Sequence, residues 1–279
     1  MKFITFVRPG GVAEPGLLDG KEVTPLAGAG FADVISIIAG GDAALKKVAA
    51  VTGPKIALSG VKLLAPIPRP PKIICIGLNY RDHAIESNMQ IPTTPTVFCK
   101  FPTAVIGPGD NIVLPKKSTQ PDYEAEFAFV IGKGGRNIKG KDWKKHVFGY
   151  MNLNDVSARD IQLATSQWVM GKTFDTFCPM GPFLATADEI ADPHDLDISL
   201  TIGKETLQKS NTKHLIFRIP DLIAHLSSIF TLEPGDVVST GTPAGVGFAR
   251  KPPRYLQAGD ECVVRVKGLG ELRNPVVAE

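Results

Sequence analysis

Cysteine, tryptophan and histidine are scarce in this sequence, with 4, 2 and 5 among 279 residues. The cysteines, Cys75, Cys99, Cys178 and Cys262, stand far apart and form no C-x-x-C pair. That excludes a zinc ribbon or a dithiol redox motif, and neighbours that are apolar or small imply reduced, mostly buried thiols in a cytoplasmic protein. No apolar run approaches the roughly 18 residues that a membrane helix needs. The apolar residues 3–7 end at Pro9-Gly10 with no small-residue cleavage site, so they do not read as a signal peptide. An excess of one charge is also lacking. Lys and Arg number 31 against 28 Asp and Glu. Without a basic run, a net charge of +3 gives no footprint for nucleic acid.

Punctuating residues are plentiful, with 28 glycines and 23 prolines. Such density favours many short strands over long helices. Residues 2–7 read as a strand, and Asp19-Gly20 suits a hairpin turn. Residues 31–51 carry helical apolar spacing that breaks at Gly40-Gly41. In residues 64–71, four prolines forbid helix and favour a stiff, extended connection. The chain therefore divides into a small α+β segment, residues 1–68, and a larger, mostly β segment, residues 69–279. In the second segment, strands are expected at 72–77, 96–100, 123–132, 146–153, 196–202, 237–240 and 261–266. Helices are expected from Tyr80 to Asn88 and from Pro220 to Phe230.

The stretch Asp122-Tyr123-Glu124-Ala125-Glu126-Phe127-Ala128-Phe129-Val130-Ile131 alternates as a strand does. Tyr123, Ala125, Phe127, Phe129 and Ile131 share one face, and Glu124 and Glu126 share the other. Two carboxylates roughly 6.5–7 Å apart on an apolar strand repel each other. Either that face is open to water or a cation lies between them. Val130 continues the carboxylate face as an apolar position, which points to partial burial. Asp155 follows the buried-strand pattern of residues 147–153. It is either the N-cap of a short helix or a third oxygen ligand. Three carboxylates without nearby His or Cys suit a hard ion, Mg²⁺ or Mn²⁺ best, Ca²⁺ less well and zinc poorly.

Further motifs follow in order: Ile76-Gly77-Leu78-Asn79-Tyr80-Arg81-Asp82-His83-Ala84-Ile85-Glu86, then Asn154-Asp155-Val156-Ser157-Ala158-Arg159-Asp160-Ile161-Gln162. Next come Gly171-Lys172-Thr173-Phe174-Asp175, Pro179-Met180-Gly181-Pro182 and Ser239-Thr240-Gly241-Thr242-Pro243-Ala244-Gly245-Val246-Gly247. With the paired glutamates, this series resembles the fumarylacetoacetate hydrolase family, most strongly over residues 72–277. The resemblance implies a mixed β-sandwich roll assembled as a homodimer. It implies a metal held by Glu124, Glu126 and Asp155, with no organic cofactor. Substrate contacts fall on Arg159, Gln162, Lys172 and Thr242. The His–Glu pair of a mobile lid falls on His83 and Glu86, with Lys172 beside them in catalysis.

These roles agree with the residues' own chemistry. Lys172 can meet a developing oxyanion or enolate, though a lone lysine is ordinarily a solvated one. Arg159 can clamp a carboxylate, or simply pair with Asp155 or Asp160. His83 and Glu86, three apart, share a helix face, and the carboxylate would orient the imidazole. Residues 88–95 beside them are polar and proline-broken, as in a lid. The loop 240–247 lacks the Gly-Lys-Ser/Thr of a phosphate-binding loop, so it is either a backbone pocket wall carrying the Thr242 hydroxyl or an ordinary turn.

The expected reaction is metal-assisted hydrolysis of a carbon–carbon bond in a 2,4-dioxo acid. Such an acylpyruvate, for example the fumarylpyruvate or maleylpyruvate of aromatic catabolism, would give pyruvate and a second acid. The alternatives are oxaloacetate decarboxylation, oxo-diacid isomerisation, sugar-acid dehydration, and a non-catalytic metal-binding protein.

Overall fold

The structure, a computed structural model, describes residues 1–86 and 90–279. The first strands are Lys2–Val7 (β1), Ala13–Asp19 (β2), Glu22–Pro25 (β3), Ile56–Ala57 (β4) and Lys62–Leu64 (β5), with helix Val34–Ala49 (α1) after β3. The middle of the chain gives Ile73–Gly77 (β6), helix Arg81–Glu86 (α2), Thr96–Lys100 (β7), Val105–Ile106 (β8), Ile112–Leu114 (β9), Pro121–Asp122 (β10), Ala125–Ile131 (β11) and Val147–Asn154 (β12). Next come Ser157–Ala158 (β13), the short helices Arg159–Gln162 (α3) and Val169–Lys172 (α4), Cys178–Thr186 (β14), Asp197–Ile202 (β15) and Glu205–Asn211 (β16). Helix Ile219–Ile229 (α5), Val237–Ser239 (β17), Glu261–Val266 (β18) and Glu271–Ala278 (β19) complete it.

One 12-stranded mixed sheet runs β4-β3-β2-β1-β14-β12-β11-β17-β6-β7, with β5 and β8 beside that path. A five-stranded sheet, β16-β15-β18-β19-β9, supplies a second layer. Strand β11 shows how they stack. Its Phe127, Phe129 and Ile131 pack in one buried cluster with Leu200 and Val264 of the second sheet and Leu226 of α5. Its Ala128 and Val130 pack on the opposite face, in a cluster that also holds Val34, Ile37 and Ile38 of α1. The central strand is covered on both sides, which makes its carboxylate face interior.

Helix α1 starts at a capping box, in which the Asp33 side chain accepts from Ser36 N at 2.7 Å. It is interrupted where expected, since Gly41 takes a positive φ of 53°. The proline-rich stretch is no free tether. Ala65 and Ile67 are buried, and Thr5 Oγ1 donates to Pro66 O at 2.8 Å. The expected strand 123–132 is broken, because β10 ends at Asp122 and β11 starts at Ala125. Strands β14, β16 and β19 were not foreseen. Of the four cysteines, Cys75, Cys178 and Cys262 are buried and Cys99 is exposed. Among the described residues, no helix is long and apolar enough to cross a membrane. Asn88, the expected end of the second helix, and Met89 beside it lie outside the described residues.

Strand β12 carries the chain into the candidate site, so its register matters. Gly149 pairs with Thr186 of β14, and a Cβ there would overlap the carbonyl oxygen of Ala185. Gly149→Ala should therefore cost about 1–3 kcal/mol, as overpacking does. Denaturant unfolding should show a lower midpoint with an unchanged slope; an unaltered midpoint would mean that the two strands separate freely.

Candidate metal and substrate site

Glu124 lies just before β11 and Glu126 within it, and Asp155 lies just past β12. Asp155 N donates to Glu124 O at 2.9 Å, which ties the two strand ends together. One oxygen from each of Glu124, Glu126 and Asp155 lies within 4.8 Å of the others. All three residues are at most 4% exposed, so the solvated-face alternative for the glutamate pair is excluded. Asp155 is not a helix cap, because α3 begins behind Ala158.

Like charges this close need compensation, and three buried cations supply part of it. Lys172 Nζ donates to Glu124 Oε2 at 2.7 Å and Asp155 Oδ2 at 2.9 Å. Lys100 Nζ reaches Asp155 Oδ1 at 2.5 Å and Val156 O at 3.0 Å. Arg159 Nε donates to Asp122 Oδ2 at 2.9 Å, and its Nη1 donates to Gln162 Oε1 at 3.0 Å. Arg159 Nη2 sits 2.7 Å from Glu124 Oε1. That approach is an ion pair without hydrogen-bond alignment, and it leaves Nη2 without a hydrogen-bond partner in the protein. Arg159 therefore pairs with Asp122 and Glu124 rather than with Asp155 or Asp160.

Glu126 is the group left over. Its Oε2 accepts from the Ser239 hydroxyl and from Gly241 N, and among the described residues no cation pairs with it. Burial and then the charges of Asp155 and Glu124 push its carboxyl well above the usual range. Burial also pushes Glu124 upward, yet Lys172 and Arg159 outweigh it and hold that carboxyl at about 2. Four buried carboxylates, Asp122 included, thus meet three buried cations. The cluster is short of positive charge, and its donors are all oxygen. Both properties fit a hard divalent cation.

The glycine-rich loop after β17 proves to be a clamp for carboxylates. Gly241 N holds Glu126, while Gly247 N at 2.7 Å and Phe248 N at 3.0 Å hold Asp122. Gly245 N donates to both oxygens of Glu86, at 2.9 and 3.0 Å. Gly241 and Gly245 have φ of 100° and 103°, a region that favours glycine. Glu86 Oε1 lies 3.1 Å from His83 Nδ1, so the loop and α2 together form the dyad. The Thr242 hydroxyl donates to Ala125 O at 2.9 Å and accepts from Gln208 at 2.8 Å. Its proton is thereby committed to the backbone.

A cavity of about 40 Å³ joins these groups, lined by His83, Glu124, Glu126, Arg159, Lys172 and Thr242, with Gln162 beside them. A larger cavity, about 670 Å³, lies in a mostly apolar groove along β7. Among the described residues that line it there is no carboxylate. Sequence reasoning gave no role to Lys100, Asp122 or Ser239. Lys100 had one usable signal, since strand alternation places it on the same face as Phe98, over whose ring Lys172 Nζ stands at 5.1 Å.

Comparison with known proteins follows the same lines. The family model described as fumarylacetoacetate (FAA) hydrolase C-terminal matches residues 72–277, and one described as Rv2993c-like, N-terminal matches residues 1–66. The chain is 50% identical over 225 residues to the mitochondrial oxaloacetate tautomerase Fahd2a of Rattus norvegicus, covering 80% of this chain and 72% of that one. It superposes on fumarylacetoacetate hydrolase from psychrophilic Exiguobacterium antarcticum with a TM-score of 0.89 at 35% identity, covering 100% of both chains. Maleylpyruvate hydrolase from Sphingobium sp. SYK-6, in complex with manganese(II) ion and pyruvate, gives 0.85 at 34%, covering 100% of this chain and 99% of that one. The cytoplasmic placement drawn from the cysteines does not stand beside mitochondrial relatives. Free thiols persist in any reducing compartment, so they do not single out the cytosol.

The charge shortfall has a pH signature. A carboxyl pushed up on folding stabilises the fold below its ordinary pKa, 4.5 for glutamate, and that contribution is lost as pH rises through the folded value. In chelator, the protein should therefore lose melting temperature from mildly acid to alkaline pH. Glu126→Gln should abolish that loss, and Mg²⁺ should raise the melting temperature of the wild type much more than that of the variant. Equal Mg²⁺ stabilisation of the two would contradict a cation seated on Glu126. Glu124, held low, acts oppositely, and its contribution is lost only as pH falls from 4.5 toward about 2.

Proposed function

The chain belongs to the fumarylacetoacetate hydrolase family, and on that premise we propose that it interconverts the keto and enol forms of a short 2-oxo diacid such as oxaloacetate. The observation that carries this is a cavity of about 40 Å³ lined by Glu124, Glu126, Lys172 and His83, with Asp155 beside the two glutamates and Glu86 behind the imidazole. At roughly 10–15 Å³ for each water, the space is small, which favours a short acid over a bulky one. The half-identical rat relative is an oxaloacetate tautomerase.

Glu124, Glu126 and Asp155 would hold Mg²⁺ or Mn²⁺, which when bound supplies Lewis-acid polarisation of the keto oxygen. The protein's own groups do the rest. Arg159 Nη2, which pairs with Glu124 by charge but makes no aligned hydrogen bond, receives a substrate carboxylate, with Gln162 beside it. Lys172 spends two N–H donors on Glu124 and Asp155 and keeps a third for the oxygen that gains charge. His83, donating Nδ1–H to Glu86, presents Nε2 as the base. It takes a proton from the carbon next to the keto group while the electron pair moves to the keto oxygen. The imidazolium then gives that proton to the oxygen, which yields the enol and restores neutral His83, and the reverse sequence restores the ketone.

A second reaction, hydrolysis of an acylpyruvate, is favoured by the same dyad, which can take a proton from water, and by the maleylpyruvate hydrolase at 34% identity. The homodimer, the division between residues 68 and 69, and a substrate contact by Thr242 belong to this proposal as well. Chelation should abolish turnover, and Mg²⁺ or Mn²⁺ should restore it. His83→Ala should slow the enzyme about 10²–10⁴-fold, the usual worth of a positioned base. Product analysis with oxaloacetate and with fumarylpyruvate separates the two reactions. Full activity after exhaustive metal removal would end the proposal.

A further inference from the structure

The cavity that holds the carboxylates is closed on one side by an aromatic wall. Trp168, the residue before α4, lies half-exposed against Gly77 of β6. The fit is so close that a Cβ on Gly77 would overlap the indole ring. Phe98 of β7 meets Trp168 nearly edge-on, with ring centroids 5.6 Å apart and planes at 68°. These two rings line the small polar cavity on one side and the apolar groove of about 670 Å³ on the other. Among the described residues, these two rings are the ones that line both the small polar site and the larger apolar space.

We propose that Trp168, seated on Gly77 and braced by Phe98, sets the chain length of the acid this enzyme accepts by walling off the polar cavity from the apolar groove. The inference rests on the 2-oxo acid activity proposed above and adds its specificity. An acid whose carboxylate and keto oxygens occupy the polar end directs its remaining chain toward the apolar walls. A short chain ends before the indole, whereas a long one meets it. Displacing a packed indole costs contact with both Gly77 and Phe98, and aromatic pairing alone is worth about 0.5–1.5 kcal/mol beyond its buried area. With the wall removed, a long alkyl tail passes into the groove beside Val97, Phe101 and Pro102 and gains burial there.

The test measures binding by titration calorimetry with Mg²⁺ present, using pyruvate and 2-oxooctanoate, which have no second keto group to be cleaved. Wild type should favour pyruvate on the order of tenfold or more, the size of discrimination that a packed pocket gives. Trp168→Leu should shrink that ratio about tenfold or reverse it. Gly77→Ala, which pushes the indole aside without removing it, should shift the ratio the same way and guards against a folding defect at position 168. A merely structural tryptophan would lower both affinities together. An unchanged ratio in both variants would overturn the wall. A wild type that binds neither acid would instead overturn the oxo-acid function, and this inference with it.

Discussion

The burial of like charge organises this molecule. Glu124, Glu126 and Asp155 sit at most 4% exposed, with ligand oxygens within 4.8 Å. Carboxylates in that state repel one another and lose hydration, a cost of several kcal/mol per ion unless it is compensated. The surrounding chain supplies compensation from every direction. Lys100 comes from an edge strand, Lys172 from the short helix α4, and Arg159 from the start of α3, as its first residue. Backbone N–H groups of the glycine-rich loop add to this for Glu126 and Asp122. Among the described residues, Glu126 is the one carboxylate of the cluster without a paired cation, which leaves the cluster short of positive charge.

The same loop links the static part of the site to the dyad. Its glycines place N–H donors on Glu126, Glu86 and Asp122 within seven residues, from Gly241 to Gly247. Glu86 is both the partner of His83 and the group that docks α2 on the loop. Formation of the base and attachment of the helix are therefore one event in this conformation. The N-terminal segment joins the same framework, since β1 pairs with β14, and β14 pairs with β12, which leads into Asp155.

How much of this was legible in the sequence depends on range. Glu124 and Glu126 were readable because a strand's period of two is local, and Val130 correctly signalled that their face is covered. Lys100 and Asp122 were not given roles because their partners are distant in the chain. Asp122 meets Arg159 37 residues on and Gly247 125 residues on. Strand β14 carries Pro179, Gly181 and Pro182, residue types that ordinarily interrupt strands. The sheet tolerates them where the β12–β14 ladder is interrupted, between the Tyr150–Ala185 and Asn152–Gly181 pairs. Strand β16 is rich in polar residues and largely exposed, so alternation over it is faint, and in β19 burial alternates but a buried Asn274 stands where an apolar residue would mark the pattern. Thr242 was legible as a pocket residue, but its bonds to Ala125 and Gln208 were not.

The central claim is that the carboxylate cluster is built around a divalent cation. Anomalous diffraction from crystals grown with Mn²⁺ tests it most directly. The account predicts one strong manganese peak within about 2.0–2.4 Å of oxygens from Glu124, Glu126 and Asp155, the range of hard-ion carboxylate bonds. A map without density among these three residues, while Lys172 still bridges Glu124 and Asp155, would contradict it.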